Sequence, residues 1–294
     1  MIKIFDLPAS DETLVSRRQS DQRLSLYRCF LHQPMRKSAM GQQTSMFEHL
    51  PFITDQVIGS RARIGLVVLS TDYTIEHEMR ALINLPGVDV FHARIANSPN
   101  ISPDTLRAMG PLITSTAELI LPGDKVDVLA YACTSASIVL GTETVAKNLR
   151  AAKPEAKTTN PAFAAFHAFA ALRAKRIAVL TPYAKHVNDM VQTSIREAGF
   201  EVPVFGSFNE PHDPTVAAID SDSLKSAIAK ITDGHEIDAV FISCTSVRIA
   251  SDVAAIEAEL GIPVTSSNHA LAWHCLRLAG IDDKLPAFGR LFSL

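Results

Sequence analysis

The chain has 294 residues, 47% of them hydrophobic and 20% charged, a globular composition with apolar side chains enough for one large core or two modest ones. Its formal net charge of −3 gives no basic footprint for nucleic acid or an anionic membrane. The longest apolar runs, such as residues 64–69, are far below the roughly 20 residues of a membrane span, and acids and a proline occupy the N-terminus where a secretory signal needs an apolar core, so a cytoplasmic protein is expected.

Residues 1–60 are polar and rich in Arg, Gln and Ser in places. They read as an N-terminal extension or arm, one able to pack across a neighbouring subunit, and neither they nor Cys29 within them receive a chemical role. From Arg63 onward short apolar runs alternate with amphipathic segments, the pattern of an α/β protein with parallel sheets. Strands are predicted at 63–69, 88–95, 126–132 and 155–159, then at 176–181, 201–207, 237–243 and 262–266, with helices between. Behind the first strand come Thr71 and Asp72, then a helix whose first turns carry Glu76, His77 and Glu78. Acids there favour the helix dipole, which argues for a structural role. Arg94, ending the second strand, is placed at a sheet edge where it could meet a carboxylate. Ser102-Pro103-Asp104 sets a capping serine before a proline at the first helical position, and Asp213-Pro214 reads as the same device. His167, His274 and Cys275 fall on apolar helical faces and read as core.

The two sets of four strands match. Arg63-Ile64 opens the first and Arg176-Ile177 the second; Gly87 answers Gly199, Asp127 answers Asp238, Cys133 answers Cys244, and Asn160 answers Asn268, at a nearly constant interval. The predicted architecture is therefore α/β: two pseudo-symmetric (β/α)4 lobes, 61–172 and 173–294, each with a four-stranded parallel sheet. The active site is expected in the cleft between them, and the last helix is in a position to pack back on the first lobe. Ligands of such sheets collect beyond the carboxyl ends of the strands. The duplicated "ACTS" and "SCTS" thus bring one thiol from each side.

A thiol just before a helix N-terminus feels unpaired N–H groups and the helix dipole, which should lower its pKa. The hydroxyls and amides of Thr134-Ser135 and Thr245-Ser246 are suited to hold a carboxylate. Two such halves allow one thiolate to take an α-proton while the other thiol protonates the opposite face, or allow one thiolate to add to an activated double bond. No cofactor or metal is expected: the four cysteines contain no CxxC pair, the ten histidines no HExxH, and neither a phosphate loop nor a Schiff-base lysine at a strand end is present.

At "RIGLVVLSTDYTIEHEM", "DVLAYACTSAS", "RIAVLTPYAKHVN", "DAVFISCTS" and "SSNHALAWHCLRLAGI" the chain resembles the aspartate/glutamate racemase superfamily, in the branch of maleate cis-trans isomerase and arylmalonate decarboxylase. Within the branch, "LVVLSTDYT", "HARIANSPNISPDTLRAM" and "LILPGDKVDVLAYACTSASIVLG" look most like the ectoine-utilisation protein. The resemblance implies cofactor-independent chemistry beside a carboxylate. It gives Cys133 the nucleophile's place and Cys244 that of the opposing donor or base, with Tyr183 and Asn188 as substrate contacts and Thr134 and Thr245 lining the carboxylate cradles. Maleate isomerases carry a substrate-binding Asn after the first strand, where this chain has Asp72 after Thr71. A carboxylate there disfavours a dianion unless protonated and suits a cationic or N–H-bearing substrate; the alternative is that Asp72 caps the next helix. The retained pair of cysteines speaks against a decarboxylase, which in this family works with one.

The expected function is a cofactor-independent isomerase, either a racemase or epimerase or a cis-trans isomerase. It would act on a small carboxylate in ectoine or hydroxyectoine catabolism, as a homodimer or higher homo-oligomer with neither nucleic acid nor membrane as partner. The alternatives are a non-catalytic metabolite-binding protein of the same fold and a maleate cis-trans isomerase proper.

Overall fold

The structure, a computed structural model, describes residues 45–54 and 58–294. It comprises two units, 1–54 and 55–294, of which the second holds every strand and helix described below. The extension expected over 1–60 lies mostly outside the described residues; 45–54 form no helix or strand.

Eight strands make two four-stranded sheets. The first is built from β1 (Ala62–Leu69), β2 (Val88–Ile95), β3 (Val128–Ala132) and β4 (Lys157–Thr159) in the order β2-β1-β3-β4. The second is built from β5 (Arg176–Thr181), β6 (Glu201–Ser207), β7 (Ala239–Ile242) and β8 (Val264–Ser266) in the order β6-β5-β7-β8. All pairings are parallel. β3 and β7 are buried throughout, which is why they read as continuous apolar runs. In each sheet the crossover direction reverses beside the first strand of the lobe, a topological switch point where α/β sheets leave a crevice.

The third, fourth, seventh and eighth strands each begin two residues later than predicted. The repeated aspartates explain two of these starts: Asp127 Oδ2 accepts the Arg63 N–H at 2.9 Å, and Asp238 Oδ2 accepts those of Lys175 and Arg176 at 2.9 and 2.8 Å. At each position a carboxylate replaces a ladder carbonyl. These landmarks of the repeat are structural pins.

Helices α1 (Ile75–Leu82), α2 (Pro103–Ala108), α3 (Ile113–Glu118), α4 (Thr134–Leu140), α5 (Thr142–Ala152) and α6 (Pro161–Ala171) belong to the first lobe. Helices α7 (Lys185–Glu197), α8 (Asp213–Ala217), α9 (Ser221–Thr232), α10 (Val253–Leu260) and α11 (Ser267–Leu278) belong to the second. The last helix of each lobe reaches across. α11 packs on α6, α1, β3 and β4 of the first lobe, while Phe169 of α6 meets Phe241 of β7 edge-on at 5.3 Å. His274 bonds Thr159 at 2.8 Å and stacks on His167 at 4.6 Å. Burial lowers its pKa to about 4, keeping it a neutral core residue. Asn160 caps α6 by accepting the Phe163 N–H at 3.0 Å, whereas Asn268 lies inside α11, whose cap is Ser266; the two asparagines are not structural equivalents.

Candidate active site

Cys133 and Cys244 line one small enclosure between the lobes, together with Thr134, Ser135, Tyr183, Thr245 and Asp213. Its volume is about 20 Å³, space for a single water molecule. Cys133 ends β3 and stands at the N-cap of α4 with φ −147°, its thiol 3.7 Å from Ser135 Oγ. Cys244 lies two residues beyond β7 and is set differently. A turn follows it, α10 begins only at Val253 after a short 3-10 turn over Ala250–Asp252, and its φ is +147°, a strained setting for a residue with a Cβ. The expected helix N-terminus thus stands behind Cys133 alone.

The expected depression of the thiol pKa values is overturned. Burial pushes Cys133 up to about 12, against weaker help to the thiolate from the Ala136 N–H and the Ser135 hydroxyl. Cys244 is pushed up as well, first by burial and next by the charge of Asp213. Desolvation of an enclosed anion outweighs the local field of one helix end.

The hydroxyls expected to cradle a carboxylate also cross-link the lobes. Thr134 Oγ1 donates to Ser267 Oγ at 2.8 Å, the same oxygen that accepts the Cys244 N–H at 3.0 Å. Thr245 Oγ1 donates to the Ala132 carbonyl at 3.5 Å. Thr71, Asp72, Ser246 and Asn188 stand behind the cavity wall rather than in it. Asn188 donates to the Tyr183 carbonyl at 2.7 Å and accepts from the Thr181 hydroxyl, so it positions the tyrosine and is not itself at the cavity. Tyr183 is buried beside both cysteines, and burial raises its pKa well above the usual phenol value. Asp72 Oδ1 accepts the N–H groups of Thr74 and Ile75 at 2.7 and 2.9 Å, the helix-starting role, while its Oδ2 is buried without a hydrogen-bond partner.

Three residues take places the sequence did not indicate. Asp213 does not cap its helix: His212 holds the N-cap position without a side-chain cap bond. The carboxylate turns into the cavity, accepting from Thr71 Oγ1 and Ser246 Oγ at 2.6 Å each. Its counterpart Ser102 does cap, accepting the Thr105 N–H at 3.2 Å. An acid in the duplicated slot of a capping serine was the available signal. Arg94 does not line the enclosure; it pairs with Glu76 at 3.0 Å and donates to the Ser70 and Asp72 carbonyls at 3.2 Å. Glu78 is buried and bridges the lobes, accepting the N–H groups of Ile249 and Ala250 and the amide of Asn268.

The mouth is covered by two corresponding loops that pair with each other: Ile101 N donates to the Pro211 carbonyl and Asp213 N to that of Pro99, both at 2.8 Å. A more open groove of about 550 Å³ between α4 and α7 contains neither cysteine. Among the described residues no cluster of three His, Cys, Asp or Glu is arranged for a metal ion, and no helix is long and apolar enough to cross a membrane.

Residues 85–292 match the family model of arylmalonate decarboxylase. The chain belongs to that family. It is 31% identical to the maleate isomerase of Pseudomonas putida over 244 residues, covering 79% of this chain and 97% of that protein. It is 32% identical to the maleate isomerase of Nocardia farcinica over 240 residues, covering 78% and 94%. Among solved structures, the maleate isomerase of Pseudomonas putida S16 with maleate superposes with a TM-score of 0.74 at 27% identity, covering 79% of this chain and 97% of that one. The Nocardia farcinica maleate cis-trans isomerase carrying a covalent succinylcysteine intermediate superposes with a TM-score of 0.72 at 30% identity, covering 79% and 98%. The relatives are isomerases and decarboxylases, and this chain is accordingly similar to cysteine enzymes acting on small carboxylates.

Proposed function

We propose that the protein is a cofactor-independent isomerase that works on a small carboxylate between Cys133 and Cys244. The observation that carries this reading is that two thiols from opposite lobes share one enclosed, desolvated cavity. A single thiolate suffices for the chemistry. Cys133 is the better candidate to hold it: the Ala136 N–H and Ser135 hydroxyl favour its anion more than Asp213 opposes it, whereas at Cys244 burial and Asp213 outweigh the help of the Tyr183 hydroxyl and Ser246 N–H, so that thiol supplies a proton from the other face. On a saturated carbon this pair exchanges an α-proton with inversion. On an olefin the same thiolate adds to one carbon, Cys244 protonates the other, the new single bond rotates, and elimination returns the proton to Cys244 and releases the Cys133 thiolate. The second course is favoured by similarity to a cis-trans isomerase whose structure contains succinylcysteine. Ectoine-derived compounds are the proposed substrate source, supported by the likeness of the first-lobe segments to the ectoine-utilisation protein.

Proton NMR in D2O tests this, comparing wild type with Cys133→Ala and Cys244→Ala on hydroxyectoine, ectoine, their ring-opened amino acids, maleate and aspartate. Loss of an α-proton signal, or appearance of a second isomer, should fall by at least about two orders of magnitude in either variant. Full activity in Cys133→Ala would exclude the two-thiol mechanism. Binding without any change in wild type would make the protein a metabolite-binding member of the fold.

A further inference from the structure

A buried carboxylate stands beside the two thiols, and among the described residues no cation faces it from the cavity. Asp213 lines the enclosure itself, and no Arg, Lys or His does so among the described residues. Two cations lie outside it: His212, whose charge favours ionised Asp213, is exposed and bonded to Thr215 at 2.9 Å, and Arg94 is held by Glu76 and loop carbonyls. Each oxygen of Asp213 accepts one hydroxyl proton and has a further lone pair to offer. Behind it, Asp72 is 1% exposed and its Oδ2 has no partner. Its charge is felt by both thiols and by neighbouring residues of the site, as is that of Asp213. Among the described residues no cation in the enclosure therefore offsets Asp213, and burial raises the pKa of both carboxyls. A dicarboxylate entering this space would bring more acceptors and more negative charge. A protonated nitrogen would bring the missing charge.

We propose that the substrate is a carboxylate that also bears a protonated nitrogen, an ammonium or a cyclic amidinium, and that Asp213 is the residue that reads that nitrogen, with the charge of Asp72 behind it. The proposal rests on the isomerase reading of the same cavity and adds a charge rule to it. It separates this chain from relatives named for maleate, a dianion at neutral pH. It also gives Asp213 a reason to leave the capping role that Ser102 keeps: a capping carboxylate faces its own helix, whereas this one faces the reacting centre and ties Thr71 of one lobe to Ser246 of the other.

Isothermal titration calorimetry of the wild-type protein with ectoine (an amidinium carboxylate), L-2,4-diaminobutyrate (an ammonium carboxylate) and maleate decides it. At least one cationic probe should bind tenfold or more tighter than maleate. In Asp213→Asn, which keeps an acceptor oxygen, the cationic probe should lose at least tenfold in affinity while maleate gains. Maleate as the tightest ligand of the wild type, no binding of either cationic probe, or equal loss of both classes in Asp213→Asn would overturn the inference. The wild-type comparison stands even if the variant does not fold. Deuterium exchange lost in the cysteine variants, combined with no charge preference, would overturn the charge rule and keep the isomerase. Charge preference without cysteine-dependent exchange would keep the rule and remove the isomerase.

Discussion

Replacing Glu78 by Gln should change how stability depends on pH. Glu78 joins α1 of the first lobe to the second: Oε1 accepts the N–H groups of Ile249 and Ala250 at 2.8 and 2.7 Å, and Oε2 accepts Asn268 Nδ2 at 2.7 Å. That same amide also donates to the Thr245 carbonyl beside Cys244. Burial pushes the carboxyl from its ordinary 4.5 up to about 7, outweighing the bonds from Ala250, Asn268 and Ile249. An acid whose pKa is higher folded than unfolded holds its proton more tightly in the native state. Its contribution to stability is complete below the unfolded value and is lost as pH rises through the folded one. The loss comes to about 3 kcal/mol between the two pKa values. Gln does not titrate, and it sets an amide N–H against the Asn268 donor, an offset of about 1–3 kcal/mol at every pH. Urea unfolding across the range from acid to mildly alkaline pH should show the wild type's advantage over Glu78→Gln shrinking by about 3 kcal/mol. A gap that stays constant through that range would refute the reasoning, since it would mean that the buried carboxyl titrates alike folded and unfolded.

Ser267→Ala should cost about 2 kcal/mol in the same assay, because it leaves the buried Cys244 N–H without its acceptor; an unchanged midpoint would show that the bond contributes nothing. Alkylation of the free protein by iodoacetamide should be slow at neutral pH and rise about tenfold per pH unit, as expected of a thiol pushed up to about 12. Rapid labelling of Cys133 at neutral pH would contradict the desolvated cavity. Cys244→Gly should be more stable than Cys244→Ala by about 1 kcal/mol in thermal unfolding, since φ of +147° suits glycine and strains alanine; equal stability would remove the strain at this strand end.

The architecture was legible in the chain because its causes are local and repeated. Continuous apolar runs specify buried parallel strands wherever they lie, and the recurrence of Arg63, Gly87, Asp127 and Cys133 as Arg176, Gly199, Asp238 and Cys244 announced two equivalent lobes. The pairing of the cysteines followed from that duplication, since equivalent strand ends come to equivalent edges. What a side chain does once it arrives depends on neighbours far away in sequence. Asp213 and Ser102 begin matching helices, yet one faces Thr71 and Ser246 across the cleft and the other its own helix. Arg94 sits at a sheet edge as expected, but its guanidinium is taken by the carbonyls of the loop after β1. The cysteines show the same division most sharply. The helix behind Cys133 is a local feature and was foreseen; the desolvation that reverses its effect arises only when two lobes close over the thiol, and burial is a property of the whole packed molecule.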